Sequence, residues 1–342
     1  MKKKKKKLII KGAVLVKNKK LDIFSGIKFK KLEKKQVLVK IYYSGLCGSQ
    51  LFEIYGKRGK DKYLPHLLGH EGTGKVINIG QDVKNVKVGD KVFLSWIKTN
   101  EVDCDTPNFF YKKVKINAGR ITTLSNYSII SSNRVYKLPK KINFITGTLL
   151  GCALPTGAGM IIKNNLRNKK ILIIGLGGVG MSALLTAIYS KISNIDILEK
   201  NSFKVFHVKK KIKFQDINYF KKVSSIKNNY YDLVIETSGN AKMISKSMDF
   251  INNKGKTVFA SHPEFNSKIK LDPFDLILGK KIFGTWGGGI KFSKDLKILV
   301  KIIKKFKNID KIFFNKIYKL NKINLAINDF KKGKVIRPLI KF

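Results

Sequence analysis

The sequence predicts an α/β protein in which a β-rich first half is followed by a doubly wound parallel sheet. Three observations carry that prediction. Residues 8–138 hold short alternating or apolar runs separated by glycines. From Lys170 onward, strand-like and helix-like stretches alternate. Between them stands Gly175-Leu-Gly-Gly-Val-Gly180, a turn that joins a strand to a helix. A chain of 342 residues with 43% hydrophobic content has enough apolar material for about two cores.

Taken in order, Leu8–Val16, Gln36–Tyr43 and Gly72–Gly80 read as strands. Val86–Leu94 reads as a hairpin with Gly89-Asp90 at its turn. Residues 97–118 are polar and irregular, and Ser128–Leu138 returns to strand character before Pro139. The second half offers strands at Lys170–Ile174, Ile195–Leu198, Asp232–Ser238 and Gly255–Ala260, with helices near 179–190 and 242–251. A helix carrying Leu296, Leu299, Val300 and Ile303 follows, then a last strand at Val335–Phe342.

The glycine turn has a chemical reading. Gly175 permits the tight bend, Gly177 lets backbone approach a pyrophosphate, and Gly180 lets the helix pack closely on the strand. Gly178 and Val179 complete a helix start whose amides favour phosphate. Glu199, 19 positions after Gly180, ends the next strand, where an acid accepts hydrogen bonds from ribose hydroxyls. This is the pattern of a Rossmann dinucleotide site. The charge of Glu199 favours NAD over NADP, with Lys200 and Lys204 close enough in sequence to weaken the preference.

Cys47 in Gly-Leu-Cys-Gly-Ser, His70 in Leu-Gly-His-Glu-Gly and Cys152 in Leu-Leu-Gly-Cys-Ala are candidate metal ligands. Two thiols and an imidazole can hold zinc with its fourth position open, as catalytic sites require. Glycines flank all three, as expected of tight, irregular backbone. Singly, each residue is as readily a buried structural side chain.

As an ordered set these motifs, with Val88-Gly-Asp-Lys-Val92, Gly151–Gly157 and Gly333–Arg337, resemble the zinc-dependent medium-chain dehydrogenase/reductase family over nearly the whole chain. Within it, Gly284-Thr-Trp-Gly-Gly-Gly289 is similar to alcohol dehydrogenases of the glutathione-dependent formaldehyde type. The resemblance implies a GroES-like catalytic domain over 1–152, completed by 290–342, around a Rossmann NAD-binding domain over 153–289. It implies one catalytic zinc on Cys47, His70 and Cys152, with Glu71 beside it either supporting those ligands from behind or serving as an alternate ligand. It further implies Ser49 as proton relay, Thr156 near the nicotinamide and Arg337 on the pyrophosphate. Gln50 stands where relatives carry an aspartate that orients the zinc-bound histidine, a task its amide oxygen is able to take over. Phe52 stands where several carry a relay histidine. The four-cysteine structural-zinc lobe is missing, since residues 97–118 hold only Cys104.

The implied reaction is reversible oxidation of a secondary alcohol, polyol or sugar hydroxyl to a carbonyl, in a homodimer or homotetramer joined near Ile282–Gly289. Two alternatives stand beside it: a zinc-less quinone-reductase-like activity, and a catalytically weakened, polyanion-binding relative. The net charge of +49 raises the second. Yet the excess is lysine spread through every segment, with arginine only at Arg58, Arg120, Arg134, Arg167 and Arg337. That distribution argues for compositional drift and solvated lysines over a nucleic-acid reader built on arginine. Lys2–Lys7 reads as a disordered tail. Three cysteines form no disulfide framework, and no apolar run reaches the length of about 18 that a membrane span needs, so a cytoplasmic enzyme without a membrane partner is expected.

Overall fold

A computed structural model describes residues 8–164, 166, 169–214 and 216–342; the lysine run 2–7 lies outside them. Among the described residues the strands form three sheets. The first is antiparallel, in the order His66–Leu67, Ile10–Lys17, Lys20–Phe29, Phe109–Tyr111, Val114–Ile116. The second runs Val135–Lys137, Lys91–Ser95, Glu71–Ile79, Gln36–Gly45, Leu339–Lys341, Ile317–Lys319, with Tyr127–Ser131 also paired to Gln36–Gly45. Together they make the β-rich half of the chain.

The third sheet is wholly parallel: Ile217–Phe220, Asn194–Leu198, Lys170–Ile174, Tyr231–Glu236, Ile251–Phe259, Lys281–Gly284. Its first strand in sequence, Lys170–Ile174, sits in the middle, and the order reverses there, which opens a crevice at the carboxyl ends of the strands. Ile171–Ile174 are buried, as a strand covered on both faces demands. The helix Phe292–Lys305 turns Leu299, Ile302 and Ile303 into the same core. The chain then rejoins the second sheet through Ile317–Lys319 and Leu339–Lys341.

Two expectations change. Residues 86–90 are not a hairpin arm: Lys91–Ser95 pairs with Glu71–Ile79, and the turn is tied there by Gly89 N–H to Val76 O and Val76 N–H to Asp90 O, both 2.9 Å. The last strand is only Leu339–Lys341, because Pro338 has no N–H to offer a ladder and the residues before it carry Arg337 inward. The helix Ala153–Ile162, with nine of its ten residues buried, escaped the pattern because an all-round apolar helix shows no periodicity. No single helix among the described residues is long and apolar enough to cross a membrane.

Candidate active site

The strand Gln36–Gly45 delivers Cys47 to the N-cap of the helix Gly48–Ile54. Gln50 closes that cap: its Oε1 accepts the Cys47 N–H at 3.1 Å and its own N–H donates to the Cys47 carbonyl at 3.0 Å. The amide oxygen therefore fixes a thiol ligand, not the His70 imidazole that the sequence reading assigned to it. Gln50 Nε2 is left buried without an acceptor among the described residues. Ser49 occupies the first turn of the same helix, half-buried.

His70 immediately precedes the strand Glu71–Ile79, after Gly69 at φ +101, a conformation that only glycine adopts without strain. Cys152 caps the helix Ala153–Ile162, and Thr156 Oγ1 donates to the Cys152 carbonyl at 2.8 Å. The three ligand candidates converge from these separate elements. Cys47 Sγ lies 3.9 Å from Cys152 Sγ, His70 Nε2 lies 3.3 Å from the latter, and all three donor atoms fall within 4.8 Å of one another. That donor set and spacing fit a zinc ion.

The electrostatics fit as well. A hydrogen bond from Cys152 and the nearby Arg337 charge hold the Cys47 thiol well below its ordinary range against the opposing pull of burial. The same contact and burial push Cys152 up. Burial would lower His70, but the charges of Cys47 and Glu71 outweigh it and raise the imidazole.

Directly behind the ligands, Glu71 is fully buried and pairs with Arg337, itself 2% exposed: Arg337 Nε donates to Glu71 Oε1 at 3.0 Å and Nη2 donates to the same oxygen. Burial raises the Glu71 carboxyl, partly opposed by Arg337. Glu71 Oε2 is buried and keeps no hydrogen-bond partner among the described residues. The pair also explains two of the glycines: a Cβ on Gly45 would lie 2.3 Å from Glu71 Oε1, and one on Gly151 would lie 2.5 Å from Glu71 Cβ.

Arg337 reaches the dinucleotide turn too, since a Cβ on Gly178 would meet its Nη1 at 2.5 Å. In that turn Gly175 has φ +90, a Cβ on Gly180 would stand 1.9 Å from the Gly175 carbonyl, and Gly177 faces open space. Val179 is in the first turn of the helix Gly178–Tyr189. Glu199 directly follows the strand Asn194–Leu198 and faces the turn, with Oε2 accepting the Leu176 N–H at 2.7 Å and Oε1 accepting the Asn201 N–H at 2.8 Å. Lys204 Nζ stands 3.5 Å from Glu199 Oε2.

Phe52 points across the cleft: its Cε2 would be 3.9 Å from a Cβ on Gly239, in the turn after Tyr231–Glu236. The loop behind it is clasped to the segment after Ile251–Phe259 by Lys57 with Glu264 at 2.5 Å and by Phe265 N–H to the Lys57 carbonyl at 2.9 Å. Lys57 is thus spent on an ion pair. His66 has Nε2 2.8 Å from Asp61 Oδ2 and Nδ1 3.0 Å from the Leu67 carbonyl.

One group escaped the sequence reading. Arg134 forks onto Asp103, Nε to Oδ1 at 2.7 Å and Nη2 to Oδ2 at 2.8 Å, while its Nη1 donates to the Trp96 carbonyl. The available signal was the scarcity of arginine: five in a chain with 71 basic residues.

Comparison with known proteins agrees with this geometry. Residues 33–140 match the alcohol dehydrogenase GroES-like domain family. The chain is 26% identical to S-(hydroxymethyl)glutathione dehydrogenase of Photobacterium damsela subsp. piscicida, covering 91% of this chain and 93% of that protein. It is 28% identical to alcohol dehydrogenase-like 1 of Arabidopsis thaliana, over 89% and 88%. The crystal structure of benzyl alcohol dehydrogenase from Acinetobacter calcoaceticus superposes with a TM-score of 0.84 at 24% identity, over 98% of this chain and all of that one.

Proposed function

We propose that the chain is a medium-chain dehydrogenase/reductase that oxidises a secondary alcohol, polyol or sugar-type hydroxyl to a carbonyl, reversibly, with zinc and NAD. The enzyme class is that of NAD(P)-dependent oxidoreductases acting on CH–OH donors. The observation that carries the reading is the convergence of Cys47, His70 and Cys152 within 4.8 Å, backed by the Glu71–Arg337 pair.

Zinc held by those three side chains supplies the Lewis acidity that makes an alcohol proton labile near neutral pH, and the nicotinamide supplies the hydride acceptor. The chain's own residues do the rest. Ser49 takes the substrate proton at Oγ, a short hydroxyl that leaves room for substrate. Glu71 stands by with a free oxygen as alternate ligand and balances Arg337. Arg337, already against Gly178, is our candidate for the pyrophosphate, and Thr156 for the nicotinamide wall. Gly175, Gly177, Gly178, Val179 and Gly180 form the phosphate turn, with Glu199 at the ribose. Glu199 supports NAD as the preferred cofactor, and Lys204 beside it keeps NADP in reach.

The domain division proposed is 1–152, completed by the C-terminal part from 290, against 153–289. We further propose a cytoplasmic homodimer or homotetramer, without nucleic-acid or membrane partners. The edge strand Lys281–Gly284, with its exposed Phe283 and the nearby exposed Trp286, is the contact expected in it. Metal analysis together with NADH absorbance over an alcohol panel tests the reading. One zinc per chain and chelator-sensitive NAD reduction are expected; zinc-free protein of undiminished activity overturns it. Light scattering reads the oligomer.

A further inference from the structure

We propose that Arg134 and Asp103 are positioning residues of the substrate cleft, acting through Trp96. The proposal rests on the active-site assignment above, because Trp96 matters only as a neighbour of the ligands. Its place follows from strand register: Ser95 pairs with Glu71, so Trp96 lies across from His70, and Ser95 Oγ donates at 2.8 Å to the carbonyl of Gly151, next to Cys152. Trp96 is thus the first residue to leave the sheet beside two of the three ligands.

Past this point the backbone has no ladder to hold it. Residues 96–108 form no helix or strand. Side chains fix the segment instead. Arg134 donates to the Trp96 carbonyl through Nη1 and grips Asp103 with a two-bond fork, joining the two ends of the loop's first turn. Such a planar, bidentate contact restricts orientation as a lysine ammonium cannot. Tyr136 Oη donates to the Ile97 carbonyl at 2.8 Å, Asn133 Nδ2 to the Glu101 carbonyl at 2.9 Å, and Ser131 Oγ accepts the Cys104 N–H at 3.0 Å. The cation excess around Asp103, with Lys98 at 3.8 Å and Arg120 at 3.9 Å, keeps its carboxylate charged.

The consequence is a fixed backbone for Trp96, one step past the residue that pairs with Glu71 and bonds the Gly151 carbonyl. Trp96 meets Trp286 edge to face, with centroids 4.9 Å apart and planes at 85°. Its Nε1 is buried without an acceptor among the described residues, so the ring is held by its backbone and by packing, with a donor to spare. Loss of the fork frees the carbonyl of Trp96 and lets the ring swing.

The test exploits the fact that these two are the chain's only tryptophans. Arg134→Gln, Asp103→Asn and the double variant are compared with wild type in zinc-loaded protein by tryptophan emission, near-ultraviolet dichroism, zinc content, NADH binding and alcohol kinetics. In each variant the tryptophan signal is expected to change and KM for the alcohol to rise about tenfold, with kcat within about twofold. The double variant should be no worse than either single, because the two residues form one unit. Asp103→Glu should restore the signal in part. Unchanged emission and KM overturn the proposal. So does a loss of zinc and NADH binding together with activity, which marks a merely structural role. If wild type oxidises no alcohol, the active-site assignment fails, while the emission still reports whether Arg134 holds Trp96.

Discussion

Arg337 lies with Nε 3.0 Å from Glu71 Oε1, both side chains out of solvent, one flank of the pair against the metal ligands and the other against Gly178. Residues 266 positions apart in sequence are thereby joined between the Cys47, His70, Cys152 cluster and the glycine turn. Removing one partner strands the other charge in the interior. Glu71→Gln and Arg337→Met are expected to destabilise the chain by about 3–5 kcal/mol each, and the double variant by less than the sum. Denaturant unfolding measures this; additive losses would show that the pair does not act as a unit.

Two glycines of the turn separate folding from binding. Gly180→Ala places a methyl where the Gly175 carbonyl already stands, at 1.9 Å, so it should cost about 1–3 kcal/mol of stability. Gly177→Ala meets nothing within 4 Å, so its stability should stay within about 0.5 kcal/mol of wild type. NADH titration should nevertheless show weaker binding in both. A Gly177→Ala protein that binds NADH as wild type does would mean that the pyrophosphate lies elsewhere.

Gln50 acts on Cys47. Gln50→Leu removes the acceptor for the Cys47 N–H and should lower zinc affinity about 10–100-fold in a chelator competition. Gln50→Glu, which keeps the acceptor, should retain most of it. If instead Gln50→Leu holds zinc as tightly as wild type, the cap does not prepare the ligand.

The Asp103 fork gives a pH signature. Burial alone would push the Asp103 carboxyl up, but hydrogen bonds and charge from Arg134 outweigh it and the group is held below the ordinary carboxylate range. A carboxyl depressed in the folded state contributes stability above its unfolded value, about 3.9, and loses it as pH falls through the folded one. Tryptophan emission should therefore stay constant down to about pH 4 and change only below it. In Asp103→Asn this acid step should vanish. A step of equal size in both proteins would assign it to another group.

Much of the site was legible because its chemistry is local. Cys47, His70 and Cys152 sit in glycine-flanked segments, and Gly175–Gly180 follows an apolar strand. What lay outside that reading was pairing. Gln50 looked like a partner for His70, yet it spends its oxygen three residues back on its own helix start. Asp103 fell in a polar stretch with no period and Arg134 in a strand-like one, and only the fold brings them together.

The sequence by itself determined the fold class, the candidate ligand cluster and the glycine turn between strand and helix, because each depends on residue identity over a few consecutive positions. Tertiary structure alone decided that Glu71 meets Arg337, that Arg134 reaches Trp96 and that Gln50 serves Cys47. Those are choices among competing hydrogen-bond and ion-pair partners. Burial settles them, since a charge or polar group withdrawn from water must take whichever partner packing leaves within reach.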